Sequence, residues 1–461
     1  ALLRAIAAGL QQAEAALVAR IGQETALPEG RVKNENARTI RQLEQFAALV
    51  DEGSWVEARI DRADRARTPQ PKPDVRSMLV PLGPVAVFGA SNFPLAYSVA
   101  GGDTASALAA GCPVVVKAHP AHPGTSELVG AIVAGAVREL GLPPGTFSLL
   151  HGRTPATGQR LVEHPAIAAV GFTGSHQGGR ALFDLGARRP VPIPVFAEMG
   201  SVNPVFVLPG ALAARGTAIA QQLAGSALLA MGQFCTSPGM VVFQEGPAGE
   251  AFAAELRARL LAAPAGPSVH PTIRANYEQA LAEVGALPDV ARSAASGASP
   301  AATAVCPNLL AANADAVLRQ PRLRSEIYGP AVLAVRCRDA AQMTALARSL
   351  HGHLTATVHG EPADLRAHAE LLAVLRTKVG RLIHDGVPTG VEVVGAMVHG
   401  GPYPAATDAR FSAVGTTAIR RWVRPACWQD WPHDLLPPEL RDDNPRRLHR
   451  VVDGRPEQVS G

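Results

Sequence analysis

The chain has 461 residues, of which 47% are hydrophobic and 18% are charged, and its formal net charge is +4. It is long enough for two or three domains with buried cores. Because it lacks a dense run of Lys or Arg, its charge gives no reason to expect binding to nucleic acid or to a membrane. The apolar stretch 79–102 is interrupted by proline and asparagine and is too short to span a bilayer. No secretion signal is visible, so we expect a cytoplasmic protein.

Helical patterns open the chain over 1–24 and 33–52, and a polar connection follows over 61–74. The first pattern has no capping residue before it, and we expect further residues to precede Ala1. From residue 84 onward, short β-branched runs alternate with helical patterns. Strands are predicted at 84–90, 113–117, 146–150, 167–172 and 194–197, and helices at 97–110, 125–140, 154–163 and 177–185. This alternation predicts an α/β fold with a parallel, doubly wound sheet.

A second α/β pattern runs from 203 to about 425, and its first helix is predicted over 211–230. The segment that follows is rich in Pro, Trp, Asp and Arg and shows no regular period. We therefore predict one domain over 1–200, a second over 201–425 and a C-terminal segment over 426–461.

Chemically active residues follow the predicted strands of the first domain. Asn92 lies in the turn after the first strand, and Lys117 ends the second. Gly174 and Ser175 follow the fourth strand, and Glu198 follows the fifth. In doubly wound sheets, ligands bind beyond the carboxyl ends of the strands. The pattern therefore indicates a nucleotide site.

Neither GxGxxG nor GxxxxGK[ST] occurs in the chain, so a nucleotide must be held in another way. The stretch from Gly174 through Ser175 to Gly179 follows a strand and opens a helix. Its backbone N–H groups and the positive end of the helix could bind a pyrophosphate. An ordinary turn from strand to helix is the alternative interpretation.

The five cysteines are scattered and never occur in a CxxC spacing, which argues against a disulfide framework. The histidines show no metal-ligand spacing, and we expect no metal. Four cysteines are interpreted as ordinary thiols, since free cysteine behaves as a small hydrophobic residue. Cys235 stands apart because it follows a Gly-Gln-Phe stretch at the end of a long run of small residues.

Five motifs occur in a characteristic order along the chain. They are Asn92-Phe93-Pro94, Phe172-Thr173-Gly174-Ser175, Glu198-Met199-Gly200, Gly232-Gln233-Phe234-Cys235 and Glu326-Ile327-Tyr328-Gly329-Pro330. In this order they resemble the NAD(P)-dependent aldehyde dehydrogenase superfamily over nearly the whole chain. The stretches 116–123, 386–391 and 399–404 are similar to its 2,5-dioxovalerate (α-ketoglutaric semialdehyde) dehydrogenase branch.

The resemblance implies an aldehyde dehydrogenase-like fold of two doubly wound α/β domains. Residues 1–200 would bind the cofactor and residues 201–425 would carry catalysis. A small bridging element over 57–80 would mediate oligomerisation, and the segment 426–461 would return to it. The resemblance also implies a homodimer or a homotetramer.

The resemblance assigns Cys235 as the nucleophile, which adds to the aldehyde and forms a thiohemiacetal and then a thioester. We interpret Gly232 as leaving room for substrate and nicotinamide. Asn92 would stabilise the oxyanion together with the backbone N–H of Cys235. A buried structural cysteine and an asparagine that caps a turn are the alternatives.

Glu198 is similar to the general base that activates water for thioester hydrolysis, and burial suits that role by raising a carboxyl pKa. Where the family has a second glycine in this motif, the chain has Ser201.

Lys117 and Glu326 resemble the residues that hold the two riboses of the cofactor. The family's common NAD-using pattern has a glutamate three residues after the lysine, but this chain has Pro120. Without that carboxylate, a 2′-phosphate meets less repulsion. We therefore predict NADP as the preferred cofactor, with NAD possible, and His119 as an auxiliary contact or a residue that merely lines the strand end.

The substrate is predicted to be α-ketoglutaric semialdehyde or a related aldehyde, whose carboxylate Arg410 could bind as a bidentate donor. A structural salt bridge is the alternative for Arg410. Phe93, Tyr97 and Phe234 would flank the cleft and suit an apolar aldehyde equally well.

Three other hypotheses remain open: a medium- or long-chain fatty aldehyde dehydrogenase, a thioester-transferring member of the superfamily, and a catalytically silent cofactor-binding homologue. Glu198 argues against the second, because transfer needs no water-activating base. The intact set of Asn92, Glu198 and Cys235 argues against the third.

Overall fold

The computed structural model describes residues 1–296 and 303–457. The last four residues of the predicted C-terminal segment therefore lie outside the described part. Two sheets, called below the amino-terminal sheet and the central sheet, form the two larger α/β layers of the described part. They are parallel apart from one edge strand of the central sheet.

The first sheet, called the amino-terminal sheet, has five parallel strands. In spatial order they are Phe147–Leu150, Val114–Lys117, Val85–Phe88, Ala169–Thr173 and Val195–Glu198. The first strand of this sheet along the chain, Val85–Phe88, lies at its centre. The next two strands add to one side of it, and the last two add to the other side. The strand order therefore reverses between Val85–Phe88 and Ala169–Thr173, and the crevice beyond their carboxyl ends is the expected place for a ligand.

The second sheet, called the central sheet, has seven strands, of which only the first edge strand is antiparallel to its neighbour. Their spatial order is Ala291–Ala294, Asn308–Asn313, Ala331–Cys337, Met240–Gln244, Val205–Val207, His353–His359 and Val379–His384. Its inner strands are buried along nearly their whole length, as in a parallel sheet covered on both faces. The α/β fold class predicted from the alternation is confirmed.

A third sheet, called the mixed sheet, joins strands that lie far apart in sequence. Its spatial order is Val423–Gln429, Val75–Pro81, Arg59–Asp61, Val451–Val452 and Arg455–Pro456. Strands near both ends of the chain thus pair in one sheet, with Val75–Pro81 antiparallel to Val423–Gln429 over seven residue pairs. The role of this sheet in oligomerisation stays a prediction.

Helices cover the two larger sheets. The α-helices are Leu2–Gln12, Glu14–Thr25, Glu29–Glu52, Gly102–Ala109, Pro123–Glu139, Pro155–Glu163, His176–Arg188, Pro209–Leu228, Pro247–Ala262, Pro271–Gly285, Ala314–Arg319, Ala340–Ser349, Pro362–Ala367 and Ala369–Arg376. Several of them begin at proline, whose fixed φ and missing N–H suit the first helical position. In the described residues, no helix combines the length and the apolar character needed to cross a membrane.

The helix predicted over 97–110 is shorter in the structure and begins at Gly102. Residues 97–101 form tight turns instead, and the N–H of Gly102 binds the carbonyl of Ala96 at 3.0 Å. A Cβ on Gly101 would lie 2.4 Å from that same carbonyl oxygen. The small residues of this stretch therefore permit a close turn rather than extending the helix.

Trp422 anchors the segment that leads from the central sheet to the mixed sheet. Its side chain is fully buried in the core beneath the amino-terminal sheet, with its ring edge-on to Phe196 at 5.5 Å. Its indole N–H donates to Oγ of Ser106 at 2.7 Å, and its carbonyl accepts the N–H of Leu82 at 2.9 Å. One residue thus fixes the path of the chain into the mixed sheet.

We expect Trp422→Phe to lower the free energy of unfolding by about 1–3 kcal/mol, because it removes a buried hydrogen bond and part of a packed ring. Trp431→Phe is the control, since Trp431 is half exposed and its replacement should change stability by less than about 0.5 kcal/mol. Urea unfolding followed by circular dichroism measures both. Equal midpoints for the two variants would contradict the anchoring role.

Candidate active site

Two adjoining cavities lie at the carboxyl edge of the amino-terminal sheet. The inner cavity, of about 250 Å³, lies between the two larger sheets. Among its lining residues are Asn92, Gly174, Ser175, Glu198, Cys235, Tyr277, Glu326 and Tyr328. The outer cavity, of about 570 Å³, is lined among others by Lys117, His119, Pro120, Arg153, Gly178 and Arg188. The structure thus brings most of the residues singled out from the sequence to one edge of the sheet.

The loop that carries Cys235 begins with an unusual left-handed turn. Ala230, Met231 and Gly232 have φ values of 46°, 54° and 65°. A Cβ on Gly232 would lie 2.2 Å from the carbonyl oxygen of Gly329, so only glycine fits there. The sequence-based reason for Gly232, room for substrate and nicotinamide, is therefore wrong: the glycine admits the backbone of the Glu326–Pro330 motif.

A buried asparagine that the sequence analysis missed holds the loop from the other side. Nδ2 of Asn203 donates to the carbonyl oxygens of Cys235 at 2.8 Å and Ser237 at 2.9 Å. Its Oδ1 accepts the hydroxyls of Ser201 at 2.8 Å and Thr355 at 3.0 Å. Ser201, which replaces the second family glycine, therefore orients the residue that fixes the nucleophile loop.

Two N–H groups are available beside the thiol. Nδ2 of Asn92 donates one hydrogen to the carbonyl of Gln233 at 3.0 Å, which orients the amide and leaves its second hydrogen free. The backbone N–H of Cys235 has no hydrogen bond within the described part of the chain. Both groups belong to residues that line the inner cavity. They provide the donors that an oxyanion needs.

Glu198, Cys235 and His399 form a compact group at the bottom of the inner cavity. Nε2 of His399 lies 3.5 Å from Sγ of Cys235 and 2.9 Å from Oε1 of Glu198. Glu198 and His399 are both buried, and neither carboxylate oxygen has a partner in hydrogen-bond geometry. The carboxylate therefore keeps its full capacity to accept a proton.

These three side chains offer ligand atoms that all lie within 4.8 Å of one another, a set of types that metals can bind. The sequence analysis found no such group because the three residues come from distant parts of the chain. His399 was quoted there only as part of a motif.

Burial raises the pKa of the Cys235 thiol well above its usual range, and the negative charge of Glu198 raises it further. The guanidinium of Arg38 opposes this effect and lowers the pKa. The resting residue is therefore a thiol rather than a thiolate, and it needs a base to become nucleophilic.

The two cavities meet at the start of the helix His176–Arg188. Oγ of Ser175 caps this helix by accepting the N–H of Gly178 at 3.2 Å. The N–H groups of Gly174 and Gly179 are already bound, to the carbonyls of Glu198 at 3.1 Å and of Ser175 at 2.9 Å. A Cβ on Gly179 would lie 2.7 Å from the side chain of Met199. Gly179 therefore serves helix packing and lines neither cavity.

Other residues near the cavities suit a dinucleotide. A Cβ on Gly200 would lie 2.4 Å from Oε2 of Glu326, so the glycine admits that carboxylate to the inner cavity. Burial raises the pKa of Glu326 to about 7. Burial also lowers the pKa of Lys117, and burial with the charges of His122 and Lys117 lowers the pKa of His119 to about 3. His119 is therefore neutral, with Nδ1 accepting the N–H of Ala121.

The aromatic residues predicted at the substrate form a buried cluster. Phe93 packs edge-on against Tyr97 at 5.2 Å and Phe234 at 5.3 Å. Arg31 and Arg38, from the helix Glu29–Glu52, lie over these rings. Neither arginine was found from the sequence, where both belong to a polar helical pattern.

Arg410 is not brought to either cavity. Its side chain is 80% exposed and pairs with Asp408 at 2.5 Å. The chain turns away from the cavities before residue 410. The N–H of Met199 donates to the carbonyl of Ala405, and the N–H of Thr407 donates to the carbonyl of Ala197. Residues 405–407 thus run antiparallel to the strand Val195–Glu198, away from its carboxyl end. The expected substrate contact through Arg410 is replaced by a surface ion pair.

The sequence pattern described as the Aldehyde dehydrogenase family matches residues 1–382. The chain belongs to the aldehyde dehydrogenase family. This aldehyde dehydrogenase is 49% identical over 457 residues to "Alpha-ketoglutaric semialdehyde dehydrogenase 2" of Azospirillum brasilense, covering 99% of this chain and 87% of that protein. It is 44% identical over 438 residues to "Alpha-ketoglutaric semialdehyde dehydrogenase" of Acinetobacter baylyi, covering 94% and 82%. The resemblance drawn from the sequence motifs is confirmed.

Among solved structures, this aldehyde dehydrogenase is similar to an NADP-dependent glyceraldehyde-3-phosphate dehydrogenase from Bacillus halodurans in complex with NADP. The TM-score is 0.74 at 22% identity, with 93% of this chain and 85% of the other covered. At this identity the similarity establishes the fold. The family membership and the two relatives identify the protein as an NAD(P)-dependent aldehyde dehydrogenase, an oxidoreductase that acts on small aldehydes.

We expect Glu198→Gln to make Cys235 more reactive toward iodoacetamide at neutral pH, because it removes a charge that raises the thiol pKa. The thiolate fraction, and with it the alkylation rate, rises about tenfold for each pKa unit lost. Mass spectrometry of the labelled peptides measures the rate, with exposed Cys427 as the internal reference. Slower labelling of Cys235 would mean that Glu198 assists ionisation of the resting thiol.

Proposed function

We propose that this aldehyde dehydrogenase oxidises α-ketoglutaric semialdehyde (2,5-dioxopentanoate) to 2-oxoglutarate and prefers NADP. The observation that carries the proposal is the meeting of Cys235, Glu198 and Asn92 at one cavity between two α/β sheets. Two relatives that are nearly half identical over most of the chain and carry the semialdehyde in their names support the choice of substrate.

In the first step, Sγ of Cys235 forms a bond to the aldehyde carbon. The thiol proton passes to Nε2 of His399, which lies between the sulfur and Oε1 of Glu198. The former carbonyl oxygen becomes an oxyanion, which accepts hydrogen bonds from the free N–H of Asn92 and the backbone N–H of Cys235. The hydrogen bonds from Asn203 to the carbonyls of Cys235 and Ser237 hold the Cys235 loop in position while this charge develops.

Ser175, Glu326 and Lys117 are the residues that would hold a dinucleotide, and its nicotinamide would supply the acceptor for the hydride lost from the same carbon. The chain is then left with a thioester on Cys235. Glu198 takes a proton from water, the hydroxide adds to the thioester carbon, and the C–S bond breaks to release the acid. The unpartnered oxygens of Glu198 suit this step.

The preference for NADP is supported by the charges of the outer cavity. Lys117, Arg153 and Arg188 line it together with one carboxylate, Asp184, which is paired with Arg180 at 2.9 Å. Pro120 lies where the common NAD-using pattern has a glutamate. A 2′-phosphate would therefore meet two or three cations and little repulsion. His119 stays neutral and adds at most a hydrogen bond.

The mixed sheet supports the proposal of a homodimer or a homotetramer. Its strand Val423–Gln429 lies at an edge of the sheet, with unpaired backbone groups on its outer side. A second copy could extend the sheet there. We also propose a cytoplasmic location, since the reaction needs the thiol of Cys235 in its reduced form.

The alternative substrate, a medium- or long-chain fatty aldehyde, is favoured by one observation. The cluster of Phe93, Tyr97 and Phe234 offers apolar surface beside the thiol. A catalytically silent homologue is disfavoured, because Asn92, Glu198 and Cys235 are all in place around the inner cavity.

We expect the purified protein to reduce NADP with 2,5-dioxopentanoate, and to do so faster than with dodecanal at equal concentration. Cys235→Ser should lower kcat by at least about 10³-fold, because the nucleophile is lost. Absorbance of the reduced cofactor measures both. Preferential turnover of dodecanal would support the fatty aldehyde alternative, and no turnover with the cofactor still bound would support the silent homologue.

We expect Pro120→Glu to lower the ratio of kcat/KM with NADP to kcat/KM with NAD by about tenfold or more, since a carboxylate would repel the 2′-phosphate. Pro120→Gln has nearly the same size without the charge and is the matched control. If both variants change the ratio equally, the effect comes from loss of the proline and the charge argument fails.

A further inference from the structure

Two arginines of the helix Glu29–Glu52 face the loop that carries the nucleophile. The Cζ atom of Arg31 lies 4.3 Å from the ring centre of Phe93 and 4.8 Å from that of Phe234. Arg38, two turns further along the same helix face, lies 5.2 Å from the ring centre of Tyr97. Phe234 directly precedes Cys235 in sequence, and the charge of Arg38 acts on the Cys235 thiol, whose pKa it lowers against the larger opposing effect of burial.

Arg31 already has a carboxylate partner, although its buried Nε has no hydrogen-bond partner in the described part of the chain. It pairs with Glu35 at 3.1 Å and donates to the carbonyl of Asn92 at 3.3 Å. The other oxygen of Glu35 accepts the N–H groups of Leu95 and Ala96 at 2.8 and 2.9 Å. Glu35 is therefore occupied by Arg31 and by two backbone N–H groups.

Arg38 lacks a carboxylate partner among the residues that the structure describes. Its Nη2 donates to the hydroxyl of Tyr97 at 3.0 Å, and its Nε is buried with no hydrogen-bond partner. Its Nη1 is not among the buried atoms and makes no hydrogen bond in the described part. A guanidinium in this state carries its full charge and has donors left for an anion.

A third arginine reinforces the positive charge. Arg381 binds the carbonyls of Pro388 at 2.6 Å and Gly390 at 3.0 Å and, within the described residues, forms no ion pair. Burial lowers the pKa of Arg381, and the charge of a nearby Cys235 thiolate raises it. Arg31, Arg38 and Arg381 thus bring three positive charges to this region, against the carboxylates of Glu35 and Glu198.

We propose that Arg38 binds the carboxylate of the aldehyde acid substrate, with Arg31 and the aromatic cluster holding its guanidinium in place. This rests on the proposed function. In 2,5-dioxopentanoate, the carboxylate lies four carbon–carbon bonds of about 1.5 Å each from the aldehyde carbon, which matches a site one side chain away from Cys235. An uncharged aldehyde would leave the buried donors of Arg38 unpaired, so the site discriminates against it.

The test compares kcat/KM for 2,5-dioxopentanoate with kcat/KM for pentanal, an uncharged aldehyde of the same chain length. We expect Arg38→Met to lower the ratio of the two values by about 10- to 150-fold, the range expected for a lost hydrogen bond to a charged group. Arg38→Lys keeps the positive charge but loses the planar guanidinium, so its ratio should lie between those of the wild type and Arg38→Met. Arg41→Met is the matched control on an exposed face of the same helix, and its ratio should equal that of the wild type.

A second measurement uses only the wild-type protein, in case Arg38→Met does not fold. We expect 2-oxoglutarate to slow the alkylation of Cys235 by iodoacetamide, and 1-pentanol at the same concentration to have no such effect. Absence of protection by 2-oxoglutarate would overturn the proposal.

An unchanged ratio in Arg38→Met, with 2,5-dioxopentanoate still turned over by the wild type, would also overturn the subsite and leave the proposed function standing. Turnover of pentanal by the wild type without turnover of 2,5-dioxopentanoate would overturn both. The two failures are therefore distinguishable.

Discussion

The active site depends on one close backbone crossing, in which the left-handed turn at Gly232 lies against the carbonyl of Gly329. The contact leaves no room for a side chain and joins two segments that flank the central sheet. One segment continues to Cys235, and the other begins with Glu326, which reaches the inner cavity past Gly200. The nucleophile and a carboxylate suited to a ribose are thereby fixed relative to each other before any ligand binds, which is the preorganisation that catalysis requires.

Charge is divided across this site. Burial and the negative charge of Glu198 raise the pKa of the Cys235 thiol, while the positive charge of Arg38 lowers it. The thiol therefore stays protonated at rest, protected from unwanted alkylation and oxidation. Binding of an anionic substrate to the arginine side would cancel part of the charge that favours the thiolate. In the proposed mechanism, transfer of the thiol proton to His399 would activate the sulfur, and Glu198 would stay ionised as the base for water.

The sequence predicted the parts of the site that lie at strand ends, because strand periodicity and local motifs are both short-range signals. Asn92 and Glu198 were predicted from their places after strands, and Cys235 was predicted from its motif and the family resemblance. His399 and Arg38 were not, since their places depend on how distant segments pack. The place of Arg410 also depends on long-range packing: its side-chain chemistry suits a carboxylate, but the chain there runs back along the amino-terminal sheet and the arginine pairs with Asp408.

The segment 399–407 is bonded to both larger sheets. Its Tyr403 carbonyl accepts the N–H of Gly352 at the central sheet, and its Ala405 carbonyl accepts the N–H of Met199 at the amino-terminal sheet. Any motion that separates the amino-terminal sheet from the central sheet would have to break these hydrogen bonds, which lie close to Glu198 and His399. We therefore expect the two sheets to stay together while the enzyme turns over. Substrate, product and cofactor would then enter and leave through permanently open channels, whose width limits the size of the molecules admitted.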